Sequence, residues 1–324
     1  MSHRVLALAV GALAVVPAGC GSSAGSNNAP APSASSTAKP EDFPKGSGLS
    51  FQDVQSRYPA QLSLGIGASV MRQGTNRVPF VVLDKGARPI SHAAVALYTV
   101  RTDGTHMRGP YVARETPFGV SAPYLSQTTA SDTTSAKVFY VANVQFHGKP
   151  PEGVFALVRM DGRLVAASPS PLGVKGSLPP PPDEGQRAIP IHTQTVHDVK
   201  KVSQLTTRVP PDTNLLQDDF ASVLGKKPIV LIFATPALCQ SRVCGPVVDV
   251  AEQVKASFGN KVAFIHQEIY KNNQVNQGLR PQLLKWRLES EPWTFVINAS
   301  GIITSRIEGA VSVRELKSLV AKVA

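Results

Sequence analysis

The chain has 324 residues, enough for about two domains. A hydrophobic share of 42% excludes a chain that is disordered throughout and lets each domain bury a core. The formal net charge of +11 is carried by scattered Lys and Arg with no basic run. That argues against nucleic acid as a partner and leaves solubility and weak attraction to anionic surfaces as its meaning.

The N-terminus has the order of an export signal. Arg4 supplies a positive start, and residues 5–16 form an apolar stretch too short to span a bilayer comfortably. Small residues then lead to Cys20 in Pro17-Ala-Gly-Cys20. The segment resembles a bacterial lipobox, which implies a signal peptide over residues 1–20 and a lipid on Cys20, although Pro17 stands where that pattern has an aliphatic residue. The alternative is an ordinary signal peptide cleaved nearby. The lipobox resemblance predicts a lipid-anchored protein on the extracytoplasmic face of the cell membrane, where disulfides persist. With Cys20 lipidated, the three cysteines leave one pair, Cys239 and Cys244.

Residues 21–48 are rich in Ser, Ala, Pro, Gly and Asn and predict a disordered tether. Residues 49–176 read as β-structure. Apolar runs at 78–84, 94–100, 137–146 and 154–160 are followed by turn signals that include Asp103-Gly104 and Asp161-Gly162. Short strands at this density predict an all-β, immunoglobulin-like sandwich. His92, His106 and His147 are isolated and read as loop histidines. The four consecutive prolines within residues 177–190 predict a stiff linker to a second domain at 191–324.

In that second domain the pattern becomes mixed. A helix is expected over 215–224 and a doubly covered strand over 228–233. A helix over 243–258 should end at Gly259, and a strand follows over 261–270. Pro281 opens a short helix, and strands at 293–298 and 302–307 form a hairpin. Ser312 and Glu315 form a capping box for a last helix.

Three features in this order resemble the thioredoxin-like superfamily over residues 191–324. A strand runs into Cys239, Cys244-Gly-Pro246 echoes the active-site Cys-Gly-Pro, and Glu291-Pro292-Trp293 stands where that family has a cis-proline before a strand. The resemblance implies an α/β thioredoxin-like fold and a substrate groove beside the cysteines, lined by Pro292, Trp293, Thr235 and Pro236. The chain departs from the family in having four residues between its cysteines and no acid on the strand before them. The four-residue spacing also occurs in some peroxiredoxins, but Thr235 lies four residues before Cys239 where those proteins have it three before. Copper-delivery relatives add a distant histidine, for which His266 is the partial candidate.

The thiolate is the reactive form, and a helix N-terminus or a nearby cation favours it. Cys239 is therefore assigned as the attacking thiol, Arg242 as the group that tunes it, and Cys244 as the resolving thiol. Residues five apart in an α-helix have Cα atoms on the order of 8–9 Å apart, whereas a disulfide tolerates about 4.4–6.8 Å. Either Cys239 lies in the loop before the helix, or the first turn unwinds on oxidation. The expected activity is thiol–disulfide exchange with protein thiols or disulfides or with a membrane redox partner, and it calls for no cofactor and no metal. The alternatives are thiol peroxidase chemistry and a non-enzymatic interaction or metal-delivery lipoprotein.

Overall fold

A computed structural model describes residues 38–132, 134–146, 152–172, 178–239 and 241–324. Cys20 and His147 lie outside the described residues, as do most of the expected tether and the start of the expected linker. Among the described residues, no helix is long and apolar enough to cross a membrane.

The N-terminal part contains α1 (Phe51–Arg57), β1 (Ala60–Ile66), β2 (Gly74–Leu83), β3 (Ala94–Arg101), β4 (Arg108–Val112) and β5 (Arg114–Pro117). They are followed by α2 (Gln127–Ser131), β6 (Val138–Phe146), β7 (Glu152–Met160) and β8 (Arg163–Leu172). The strands form one sheet in the order β4-β3-β7-β8-β1-β2-β6-β5. Two four-stranded halves meet at β1, which pairs parallel with β8 and antiparallel with β2. Both halves send alternate residues into one core, among them Val78, Phe80 and Tyr140 from one half and Leu97, Ala156 and Val165 from the other. The two halves of the sheet thus share one core. Asp161 and Gly162 both have positive φ in the β7–β8 turn, as a tight hairpin of right-twisted strands requires.

Residues 38–48 were expected to belong to the tether, yet they pack on this domain. Phe43 is buried against the outer face that carries Tyr98 and Phe155, and the Tyr98 hydroxyl donates to the Pro44 carbonyl at 2.7 Å. Ala38 and Leu49 pack on the same cluster, and the Gly46 N–H donates to the Gly109 carbonyl at 2.9 Å. Residues 178–190 also lie against the protein. Gly185 and Ala188 donate to Ile303 and Gly301, so the segment runs along the edge of the last strand.

The C-terminal part contains α3 (Phe220–Val223), β9 (Ile229–Phe233), α4 (Cys244–Phe258), β10 (Ala263–Gln267), α5 (Pro281–Trp286), β11 (Trp293–Ile297), β12 (Ile303–Glu308) and α6 (Val313–Val320). The sheet order is β10-β9-β11-β12, with β9 and β10 parallel, β11 antiparallel to β9, and β12 antiparallel to β11. A parallel β-α-β unit, a helix, a hairpin and a final helix make a thioredoxin-like arrangement. Strand β9 is central and covered on both faces, which accounts for its unbroken run Ile-Val-Leu-Ile-Phe. Pro246 is tolerated in the first turn of α4, where its missing N–H would have had no partner, and Gly259 ends the helix at positive φ.

The helix expected over 215–224 is only the four-residue α3, preceded by a 3₁₀ turn at Thr213–Leu215. Asp219 caps α3 with its side chain on the Ala221 N–H, so the helix starts later than the apolar pattern suggested. Strands β1, β4, β5 and β8 were not anticipated.

Candidate active site

Strand β9 delivers the chain to Ala234, and a loop carries Cys239 before α4 begins at Cys244. The two cysteines are bonded, with Cα atoms 5.9 Å apart. Cys239 therefore lies outside the helix, as the geometric condition demanded, and Cys244 occupies the first helical position. Arg242 adopts positive φ in the connecting turn. The two sulfurs differ in access: Cys244 is 0% exposed within the core, whereas Cys239 is half-buried and packs at its margin. Its Sγ lies 3.2 Å from the Ser241 hydroxyl.

Cys239, Arg242 and Pro236 line one cleft of about 50 Å³. Its other wall comes from the N-terminal part, through Thr128, Thr129, Asp132 and Ser135. The Arg242 guanidinium faces Asp132 at 3.8 Å, so its charge is shared with a carboxylate and does not act on the thiol alone. Hydrogen bonds from the Thr134 side chain and backbone, and then Arg242, hold the Asp132 carboxyl below the usual range.

The remaining groove residues are placed differently. The Glu291–Pro292 peptide is cis, in keeping with the resemblance, but Pro292 is buried. Trp293 is 1% exposed, donates its indole N–H to Ser290 and lies beneath the Arg306 guanidinium. It lines a separate cleft between the domains. Thr235 is fully buried and its hydroxyl has no hydrogen-bond partner. Of the four expected groove residues, only Pro236 is brought to the cysteine cleft.

His266 on β10 is fully buried. Its Nδ1 is 2.6 Å from Asp212 Oδ2 and its Nε2 is 3.0 Å from the Ala234 carbonyl. Both neighbours are acceptors, so both ring nitrogens must carry protons. Burial alone would lower the imidazolium pKa, but Asp212 overrides it and raises the value to about 9. Burial likewise pushes Asp212 up, and the facing imidazolium more than offsets that, leaving its carboxyl below the usual range. A charged ring with both nitrogens engaged has no lone pair for a metal, so His266 cannot serve as the distant ligand considered from the sequence. Among the described residues, no group of three or more His, Cys, Asp or Glu is placed to hold a metal ion.

Two further buried centres escaped the sequence reading. Glu268 is fully buried just beyond β10 and accepts from the Thr207 N–H and hydroxyl at 2.9 and 3.2 Å. The same hydroxyl accepts from the Ala237 N–H at 3.0 Å, which ties this acid to the loop that bears Cys239. Glu291, before the cis-proline, has its carboxyl pKa raised by burial and by the nearby Glu268 charge. On α4, Asp249 is fully buried and pairs with Arg208 at 2.8 Å. Its other oxygen accepts from the Ser126 N–H and hydroxyl, just ahead of α2. These partners lie 41 and 123 residues apart in the chain, and no local pattern marks such a meeting.

No protein-family model and no curated protein matches the chain. One similar solved structure is a thiol:disulfide interchange protein, a thioredoxin family protein from Chlorobium tepidum TLS. It is 18% identical, covers 33% of this chain and 85% of its own, and has a TM-score of 0.26.

Proposed function

We propose that this chain is a membrane-anchored, extracytoplasmic thiol–disulfide oxidoreductase that works through Cys239 and Cys244. The observation that carries the proposal is the bonded pair itself, with one half-buried sulfur in a loop and one buried sulfur at the head of α4. A short loop closed in this way contributes only about 2 kcal/mol of entropic stabilisation, a weak reason for a purely structural bond.

In the reduced protein, the Cys239 thiolate attacks a substrate disulfide. A mixed disulfide forms and one substrate sulfur leaves as thiolate. Cys244 then attacks Cys239, releasing the second substrate sulfur and closing the internal bond. Pro236 and Arg242 flank the entering sulfur. Membrane attachment rests on Cys20 and the sequence around it. An immunoglobulin-like assignment of the N-terminal sandwich is supported by the order of its halves, β1-β2-β6-β5 and β4-β3-β7-β8, which follows the two sheets of that fold.

The test is Cys244→Ser. This variant should accumulate mixed disulfides through Cys239, seen as thiol-sensitive adducts on non-reducing gels. Absence of adducts with both protein and small-molecule disulfides would remove the exchange activity.

A further inference from the structure

We propose that the N-terminal domain restricts this dithiol to low-molecular-weight thiols and their disulfides, which reach Cys239 through the narrow cleft between the two domains. The proposal rests on the exchange reading above and names its substrate class.

Cys244 is sealed in the core, so Cys239 is the sulfur open to attack. The space beside it, about 50 Å³, is far below the roughly 300–1,000 Å³ of ordinary ligand pockets. It holds a few water-sized groups at most, and its rim is polar, with Thr128, Asp132, Ser135 and Arg242. A methylene thiol fits such a space. A folded protein would have to bring a whole surface against a rim that the N-terminal domain already occupies.

That wall is pinned. Ser126 caps α2 by accepting from the Thr129 N–H at 3.1 Å, and both the N–H and the hydroxyl of Ser126 donate to Asp249 on α4. Asp249 is in turn held by buried Arg208, which also donates to the Tyr124 carbonyl. Thr129 Oγ1 stands 3.3 Å from where a Cβ at Gly245 would lie, so a side chain next to Cys244 would press on this wall. Swinging α2 away would take the two Ser126 donors from buried Asp249, which is costly.

The second approach is covered as well. The resemblance implies that backbone beside the cis-proline receives extended substrate. Pro292 is buried, and its carbonyl accepts from Gly309. Gly309 lies at φ +80° against the Gly67 backbone, with no room for a Cβ. Next to it, Glu308 accepts from Ser69 and from the Val70 N–H. The loop between β1 and β2 therefore covers this end of the hairpin.

The reaction balances without another reagent. A small thiolate attacks Cys239 Sγ, the bond to Cys244 breaks, and Cys244 departs as thiolate with the electron pair. A second thiolate attacks the small-molecule sulfur of the mixed disulfide, forming the small disulfide and freeing Cys239. Two thiols are oxidised, one protein disulfide is reduced, and the two thiol protons end on the protein cysteines.

The test uses the oxidised full chain and three thiols: β-mercaptoethanol, glutathione and a folded protein with one surface cysteine. Each rate constant is divided by that of the same thiol with a linear peptide disulfide, which removes intrinsic reactivity. The normalised rate should fall by about a hundredfold or more from β-mercaptoethanol to the folded protein, because exchange depends on access. Thr128→Trp, a change at an exposed residue of the cleft, should slow β-mercaptoethanol about tenfold with the far-UV circular dichroism unchanged. A folded-protein rate comparable with that of β-mercaptoethanol overturns the restriction while leaving exchange intact, as does an unchanged rate in Thr128→Trp. If no thiol reduces the native bond although dithiothreitol reduces it in urea, the exchange reading falls together with the restriction.

Discussion

The two faces of the sheet β10-β9-β11-β12 are closed in different ways. On one face, Leu231, Phe233, Phe295 and Ile303 pack with Phe220, Trp286 and Leu288, and Trp286 contacts three other aromatic rings. Those partners belong to the same unit. On the other face, Val230, Ile232, Phe264 and Val296 pack with α4 and α6, and Val81, Phe118, Ala136 and Phe139 of the N-terminal domain complete the core. Cys244 belongs to this second core. The face that carries the cysteines therefore takes four buried side chains from the N-terminal part, whereas the other face takes only Val70, at its margin. The N-terminal part that shares this core with Cys244 therefore helps to build the surroundings of the cysteines.

Paired truncations break or sharpen this contrast. Trp286→Ala and Phe139→Ala each empty a fully buried aromatic site and should each cost about 3–5 kcal/mol. The informative readout is which signal moves. Both tryptophans of the chain, Trp286 and Trp293, lie in the C-terminal unit, so tryptophan fluorescence reports that unit alone while far-UV circular dichroism reports both. Phe139→Ala should lower the urea midpoint by both probes together. If the fluorescence transition stays in place while only the dichroism shifts, the shared core contributes nothing to the C-terminal unit and the contrast between the faces collapses.

The next effect concerns the buried ion pair at the end of β9 and β10. His266 titrates at about 9 in the folded protein, above the value of about 6.5 expected when unfolded. Its contribution is fully present below about pH 6.5 and is lost as the pH rises through about 9, a change on the order of 3 kcal/mol. Asp212 has the opposite sign: its lowered pKa stabilises above about pH 3.9 and is lost in acid. The wild-type urea midpoint should therefore decline between pH 6.5 and 9.5, and His266→Gln should start lower and decline less. Equal declines in the two proteins would show that the imidazolium is not the group responsible.

The parts of this arrangement that were legible in the sequence are those written in local pattern. The apolar run 229–233, the proline that opens α5, the glycine at the end of α4 and the spacing of Cys239 and Cys244 all act within a few residues, and each led to the right element. Strand β4 was missed because Gly109-Pro110 interrupts it, and β8 because serines and prolines break its alternation. The closed state of the site was illegible for a different reason. Ser126 meets Asp249 and Gly67 meets Gly309 only after both domains fold. His266 read as a possible ligand because Asp212, which fixes its charge, lies 54 residues away.

The smallest effect tests how the domains share α6. Sequence spacing predicts a reciprocal capping box between Ser312 and Glu315. In the structure Ser312 does accept from the Glu315 N–H at 3.2 Å, but the Glu315 carboxylate pairs with Arg77 of β2 at 2.7 Å. The box is thus half-formed, and its acidic member is given to the other domain. Ser312→Ala should cost about 1 kcal/mol, the usual loss of an N-cap. Glu315→Gln should cost at most about 1 kcal/mol, since both charged groups of the Arg77 pair remain partly exposed to water. Added salt distinguishes the two losses: the smaller one should fade at about 1 M ionic strength, where screening is strong, and the Ser312 loss should persist. A salt-sensitive Ser312→Ala loss would instead mean that the cap works by orienting Glu315 towards Arg77, and α6 would then belong energetically to the contact between the domains as much as to its own unit.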